Sequence, residues 1–204
     1  MTYLLITFLI FSYLVFSSKR KTPSNEKDWR PEQSVLPWVE KKENILQFHN
    51  IRNFEFKSKD DFKFNYYNKD FDLNKLQSVD LAFQPFKKIP FGAHVFLSFG
   101  FSDGSYISVS IEARRKKNVD FSPFKGLLNN FELIYIVADE NDILKYRPLH
   151  LKDKVYVLPL KIKKLKIKKL FIDIINKINA IKEKPEFYKT FRSSCSTNIL
   201  KHLY

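Results

Sequence analysis

A single cysteine in 204 residues rules out an intramolecular disulfide and a thiolate metal cage. Glycine is scarce as well: four residues leave no glycine-rich phosphate loop, so a nucleotide-binding fold is not expected and no cofactor or metal is implied. Acidic residues are in deficit, with 22 Asp and Glu against 36 Lys and Arg, a formal net charge of +14. No nucleic-acid-binding motif accompanies that charge, and nucleic acid is not expected as a partner.

What the chain does have is aromatic bulk, 16% of residues including 21 Phe, which predicts a core rich in rings. Thr2 to Phe16 is nearly all apolar and ends at Ser17-Ser18-Lys19-Arg20-Lys21. At 1.5 Å per residue this run reaches roughly 25 Å, a short membrane span. No Lys or Arg precedes it, which favours an uncleaved anchor over a signal peptide. The chain then divides into residues 1–18 as a transmembrane anchor or signal segment, 19–43 as a polar linker carrying Pro23, Pro31 and Pro37, and 44–204 as one domain.

Within the domain, strands are predicted at Leu46–Phe56, Val79–Phe83, Leu133–Ala138 and Val155–Leu158, and a helix over Lys164–Glu183. In that helix Ile167, Leu170, Phe171, Ile174, Ile178 and Ile181 recur at helical spacing and should face the core. Strands followed by helices make the class α+β.

The lone Cys195 lies in Ser193-Ser194-Cys195-Ser196-Thr197-Asn198, where a short final helix is predicted to begin. A helix N-terminus presents unsatisfied N–H groups and the positive end of the helix dipole, both of which favour thiolate over thiol. Free cysteine is ordinarily a small buried hydrophobe. The polar neighbours of Cys195, with Arg192 close by, suit an activated nucleophile better than core filler.

A base is available in Ala93–Phe101, which with Ser105–Ala113 forms two alternating runs around Ser102-Asp103-Gly104. A three-residue loop with Gly104 left-handed pairs Phe99 with Ile107, Leu97 with Val109 and Val95 with Ile111, all apolar pairs. A two-residue turn would set Val95 against Glu112 and mix the faces. The first register puts His94 opposite Glu112, a carboxylate that would fix the imidazole tautomer and stabilise the imidazolium. The competing interpretation is a cross-strand His–Glu hydrogen bond on a solvated sheet face.

These residues also carry a resemblance. Pro23–Trp29, Ala93–Phe101, Ile111-Glu112-Ala113-Arg114, Glu132-Leu133-Ile134-Tyr135 and Cys195-Ser196-Thr197-Asn198-Ile199 together resemble the Lnb N-terminal periplasmic domain family, over nearly everything after the apolar segment. The resemblance implies a permuted papain-like thiol fold, similar to the NlpC-like and lecithin:retinol acyltransferase-like enzymes, with Cys195 as nucleophile, His94 as base and Glu112 as orienting acid. It implies acyl transfer through a cysteine thioester, as in lipoprotein N-acyltransferases, from membrane phospholipid to a lipoprotein or other amine acceptor. Relatives continue well past the cysteine motif, so the domain is expected to be truncated at its C-terminus.

The expectation is therefore a membrane-tethered thiol acyltransferase or lipid-ester hydrolase of the bacterial envelope, single-pass in the inner membrane with its domain in the periplasm. Basic residues after the apolar run argue for the opposite orientation under the positive-inside rule; the family decides for the periplasm. A papain-like peptidase or amidase and an inactive envelope scaffold are the alternatives. Lys161, Lys163, Lys164, Lys166, Lys168 and Lys169 form a basic cluster suited to anionic headgroups, or else a solvated lysine face.

Overall fold

The computed structural model describes residues 21–58, 61–87, 92–150 and 152–204, together with 4–6, 8, 12, 13, 16 and 17. Ten strands are present among them: β1 (Trp38–Lys42), β2 (Ile45–Arg52), β3 (Glu55–Phe56), β4 (Phe62–Lys63), β5 (Tyr66–Asp72), β6 (Leu76–Pro85), β7 (Ala93–Phe101), β8 (Tyr106–Arg114), β9 (Glu132–Ala138) and β10 (Tyr156–Pro159). The helices are α1 (Pro123–Leu127), α2 (Tyr146–His150), α3 (Lys164–Glu183) and α4 (Cys195–Leu203), with a π-helical turn at Asn141–Lys145 leading into α2.

Eight strands form one sheet in the order β1-β2-β9-β8-β7-β6-β10, with β5 also paired to β2. All ladders are antiparallel except the β2–β9 contact at Arg52↔Ala138, so the sheet is mixed and the class is α+β. Alternation along the central strands sorts side chains onto two faces. Leu97, Phe99, Val109, Ile111, Leu133 and Tyr135 face α3 and α4, whereas Ala82, Phe96, Ile134 and Ile136 pack against Ile143 of the π-helical turn.

Helix α3 covers Lys164–Glu183, as its apolar spacing predicts, and buries Ile167, Leu170, Phe171, Ile174, Ile175, Ile178 and Ile181. Each such side chain contributes about 1.5–3 kcal/mol of burial, which holds the helix although its first turn is crowded with lysines. The β7–β8 hairpin takes the predicted register, with Phe99↔Ile107 and Leu97↔Val109. Gly104 at φ +80° closes its turn, and the Phe101 N–H donates to the Ser105 carbonyl at 2.9 Å.

One expectation needs correction. The stretch 19–43, taken from its composition as a tether, is folded onto the domain from the mid-twenties onward: Trp29 and Gln33 are buried, and β1 pairs with β2. Its polar residues have distant partners, since Gln33 Nε2 donates to the Ala113 carbonyl at 3.3 Å and Arg114 Nε donates to the Gln33 carbonyl at 2.8 Å. The expected span at 1–18 lies largely outside the described residues; 4–6, 8, 12, 13, 16 and 17 are helical. Among the described residues no helix is long and apolar enough to cross a membrane.

Candidate active site

Cys195 is the first residue of α4, and the local sequence makes the helix start there. Ser194 is the N-cap: its hydroxyl accepts the Thr197 N–H at 3.4 Å, while Thr197 Oγ1 accepts the Ser194 N–H at 2.8 Å. This reciprocal capping box satisfies two backbone donors and fixes the first turn. Asn198, also buried, donates from Nδ2 to the Ser194 carbonyl at 2.9 Å. The thiol is held on a rigid helix end and is 7% exposed.

The sulfur meets His94 where the sheet opens. Hydrogen bonds between β7 and β8 close the ladder from Gly100↔Tyr106 to Phe96↔Ser110, and the ladder stops one pair before Val95 and Ile111. The Val95 N–H, which by the ladder's alternation points toward β8, acts on the Cys195 sulfur to favour its thiolate, as does the Ser196 N–H. The His94 ring acts on the same sulfur, and the two groups favour the charged forms of one another. His94 Nε2 is engaged on the other side, 2.8 Å from Ser110 Oγ and 3.6 Å from Glu112 Oε1. Nδ1 is therefore the ring nitrogen left to serve Cys195.

Ser110 completes a relay that the sequence did not reveal. Its hydroxyl donates to Glu112 Oε1 at 2.9 Å, which leaves its oxygen to accept from His94 Nε2–H. The acid thus orients the imidazole both across the 3.6 Å gap and through a buried hydroxyl. Glu112 is itself held by Gln33 Nε2 at 3.1 Å and by Arg147 Nη2 at 3.5 Å from Oε1. Arg147 rises from α2, is anchored by Nη1 donating to Gln84 Oε1 at 2.6 Å, and lies over the Phe96 ring. Gln33, Gln84 and Arg147 gave no signal in the sequence, because each matters only through partners on other elements, whereas Ser110 stands two residues before Glu112 on β8 and alternation puts both on one face.

The electrostatics follow from these contacts. Burial would raise the Cys195 thiol, but the His94 hydrogen bond and charge, with the Val95 and Ser196 N–H groups, outweigh it and lower the pKa. Burial would lower His94, yet its hydrogen bonds to Cys195 and Glu112 raise it. Glu112 is pulled well below the carboxylate range: burial opposes ionisation, and His94, Arg147 and Arg52 overcome it. Tyr188 is pushed upward by burial and by the charges of Cys195 and Glu112, so its phenol stays protonated beside the site. The arrangement favours a thiolate beside an imidazolium, the charge state of an activated cysteine nucleophile.

The structure brings Cys195, His94 and Glu112 together and leaves the lysines apart from them. Lys161, Lys163, Lys164, Lys166, Lys168 and Lys169 lie on or just before the start of α3, where Lys164 and Lys168 donate to Asn74. None of the six forms an ion pair among the described residues. An open groove of about 950 Å³ runs between α3 and α4, lined by Lys166, Lys169, Lys201 and His202, at the opposite end of α4 from Cys195. Among the described residues no cluster of His, Cys, Asp and Glu is arranged to hold a metal ion.

Fold and site together define an α+β domain in which a helix-borne cysteine faces a strand-borne histidine and carboxylate. The chain belongs to the Lnb N-terminal periplasmic domain family, whose model matches residues 63–204. Membership supports a periplasmic location and an association with the cell envelope. No curated protein and no solved structure matches the chain.

Proposed function

We propose that the domain is a cysteine-dependent acyltransferase or lipid-ester hydrolase, anchored in the inner membrane by residues 1–18 and working on the periplasmic surface of the bilayer. The observation that carries this is the coupling of the Cys195 thiol to His94, which is itself oriented by Glu112. The chain order, with His94 and Glu112 on sheet strands and Cys195 on the final helix, supports a permuted papain-like relationship.

In the reaction, the Cys195 thiolate attacks the carbonyl carbon of a phospholipid ester. The Val95 and Ser196 N–H groups, which favour the thiolate, are the donors assigned to the oxyanion. As the C–O bond breaks, the leaving alkoxide takes the proton from the His94 imidazolium, and the acyl group remains on sulfur as a thioester. An amine or a water then attacks that carbonyl while His94 accepts its proton, and the thiolate leaves. With an amine the product is an amide; with water it is a fatty acid.

The test is mass spectrometry of the Cys195 peptide after the full chain has met phosphatidylethanolamine and phosphatidylglycerol vesicles. A hydroxylamine-labile acyl adduct on Cys195 is expected. An adduct formed from peptide substrates and not from phospholipid would replace this reading with a peptidase or amidase. No adduct from either, with Cys195 unreactive toward alkylating agents, would make the domain a scaffold.

A further inference from the structure

The free edge of the sheet has an unusual surface. Strand β10 is last in the sheet order and, among the described residues, pairs only with β6, from Tyr156↔Phe83 to Pro159↔Asp80. All four of its residues are exposed, and Tyr156, Val157 and Leu158 are consecutive large apolar side chains, each close to half accessible. Leu165 at the start of α3 is 66% exposed nearby in sequence. Lysines bracket this strip, with Lys152 and Lys154 before it and Lys161, Lys163 and Lys164 after it, all exposed.

An exposed apolar edge strand invites pairing with another strand. Here Pro159 lacks an N–H and ends the strand, and the flanking lysines of a second copy, itself carrying +14, would meet like charge. Both features oppose a second copy of this chain as the occupant. Apolar side chains with a tyrosine among them, framed by lysines, instead match the layered chemistry of an anionic bilayer surface, where acyl chains lie beneath a plane of phosphates.

We propose that β10 and Leu165 form the bilayer-inserting edge of the domain, with Tyr156, Val157 and Leu158 entering the interface and the bracketing lysines meeting anionic headgroups. This rests on the placement of the domain at a membrane surface, and it adds which surface of the fold faces the lipid.

The test does not involve Cys195. In a Cys195→Ser background the full chain offers one labelling site at a time, Leu158→Cys or, as control, Lys184→Cys, which lies at the far end of α3, about 30 Å of helix away. Each is labelled with an environment-sensitive fluorophore and reconstituted into phosphatidylcholine vesicles with or without phosphatidylglycerol. With phosphatidylglycerol, the probe at 158 is expected to shift to the blue and to be quenched by lipid-attached quenchers, while the probe at 184 stays solvent-like. Replacing Lys161, Lys163 and Lys164 with Gln should reduce that shift. A solvent-like probe at 158 on vesicles that carry the chain would overturn the proposal. A shift that appears without lipid and grows with protein concentration would overturn it in favour of a second copy. Neither outcome bears on thioester formation at Cys195, which is measured separately.

Discussion

Replacing His94 with Gln is expected to slow thioester formation at Cys195 by about 10²- to 10⁴-fold, the usual contribution of a positioned acid–base group. The size follows from two losses at once. Without the imidazolium, burial controls the thiol and raises its pKa, so little thiolate remains at neutral pH. The leaving alkoxide also loses its proton donor. Glutamine keeps much of the volume and a hydrogen bond toward Ser110, so circular dichroism and the unfolding midpoint should change little. A His94→Gln chain that forms the thioester within a few-fold of the wild-type rate would remove His94 from the chemistry.

The largest expected effect on stability lies elsewhere, at Asp142 in the π-helical turn. Its side chain is fully buried and accepts from Arg52 Nη2 at 2.6 Å, from Arg52 Nε at 3.0 Å and from the Phe54 N–H at 2.9 Å. Asp142→Ala leaves the Arg52 guanidinium without its counter-charge and the Phe54 N–H without an acceptor. Breaking a buried pair by removing one partner costs about 3–5 kcal/mol. Urea unfolding, monitored through Trp29 and Trp38, should show that loss as a lower midpoint with an unchanged slope. A loss below about 1 kcal/mol, the range of exposed pairs, would mean that the network adds little to the fold.

The same turn shows why parts of the site were not legible in the sequence. Its role depends on Arg52 and Phe54, some 90 positions earlier, and on Arg147 reaching Glu112 from the adjoining helix. By contrast, the hairpin could be placed because a one-residue slip would have mixed its apolar and polar faces. The start of α4 was legible from Ser194 and its neighbours, whose capping is local. Helix α3 announced itself by period.

The segment around Trp29 misled for the opposite reason. Its prolines and polar residues look like a linker, yet Trp29 is buried with the Arg114 guanidinium 4.3 Å from its ring, and Gln33 satisfies backbone groups of the far end of β8. Polar side chains that serve a distant strand are indistinguishable in sequence from polar side chains that serve water. Strand β10 illustrates the same ambiguity in apolar form. A short apolar run predicts a strand whether it is buried at the centre of a sheet or exposed at its edge, and only the sheet order separates the two.

The central claim is that Cys195 is held as a thiolate by His94, and the rate of Cys195 alkylation by iodoacetamide as a function of pH tests it most directly. Only the thiolate reacts, so the midpoint of the profile reports the folded-state pKa of the only thiol in the chain. Because that pKa is lowered, the account expects a midpoint below the free-thiol value of about 8.5, and a shift above that value in His94→Gln. A wild-type midpoint at or above about 8.5, unmoved by His94→Gln, would contradict it and return Cys195 to the role of an inert buried side chain.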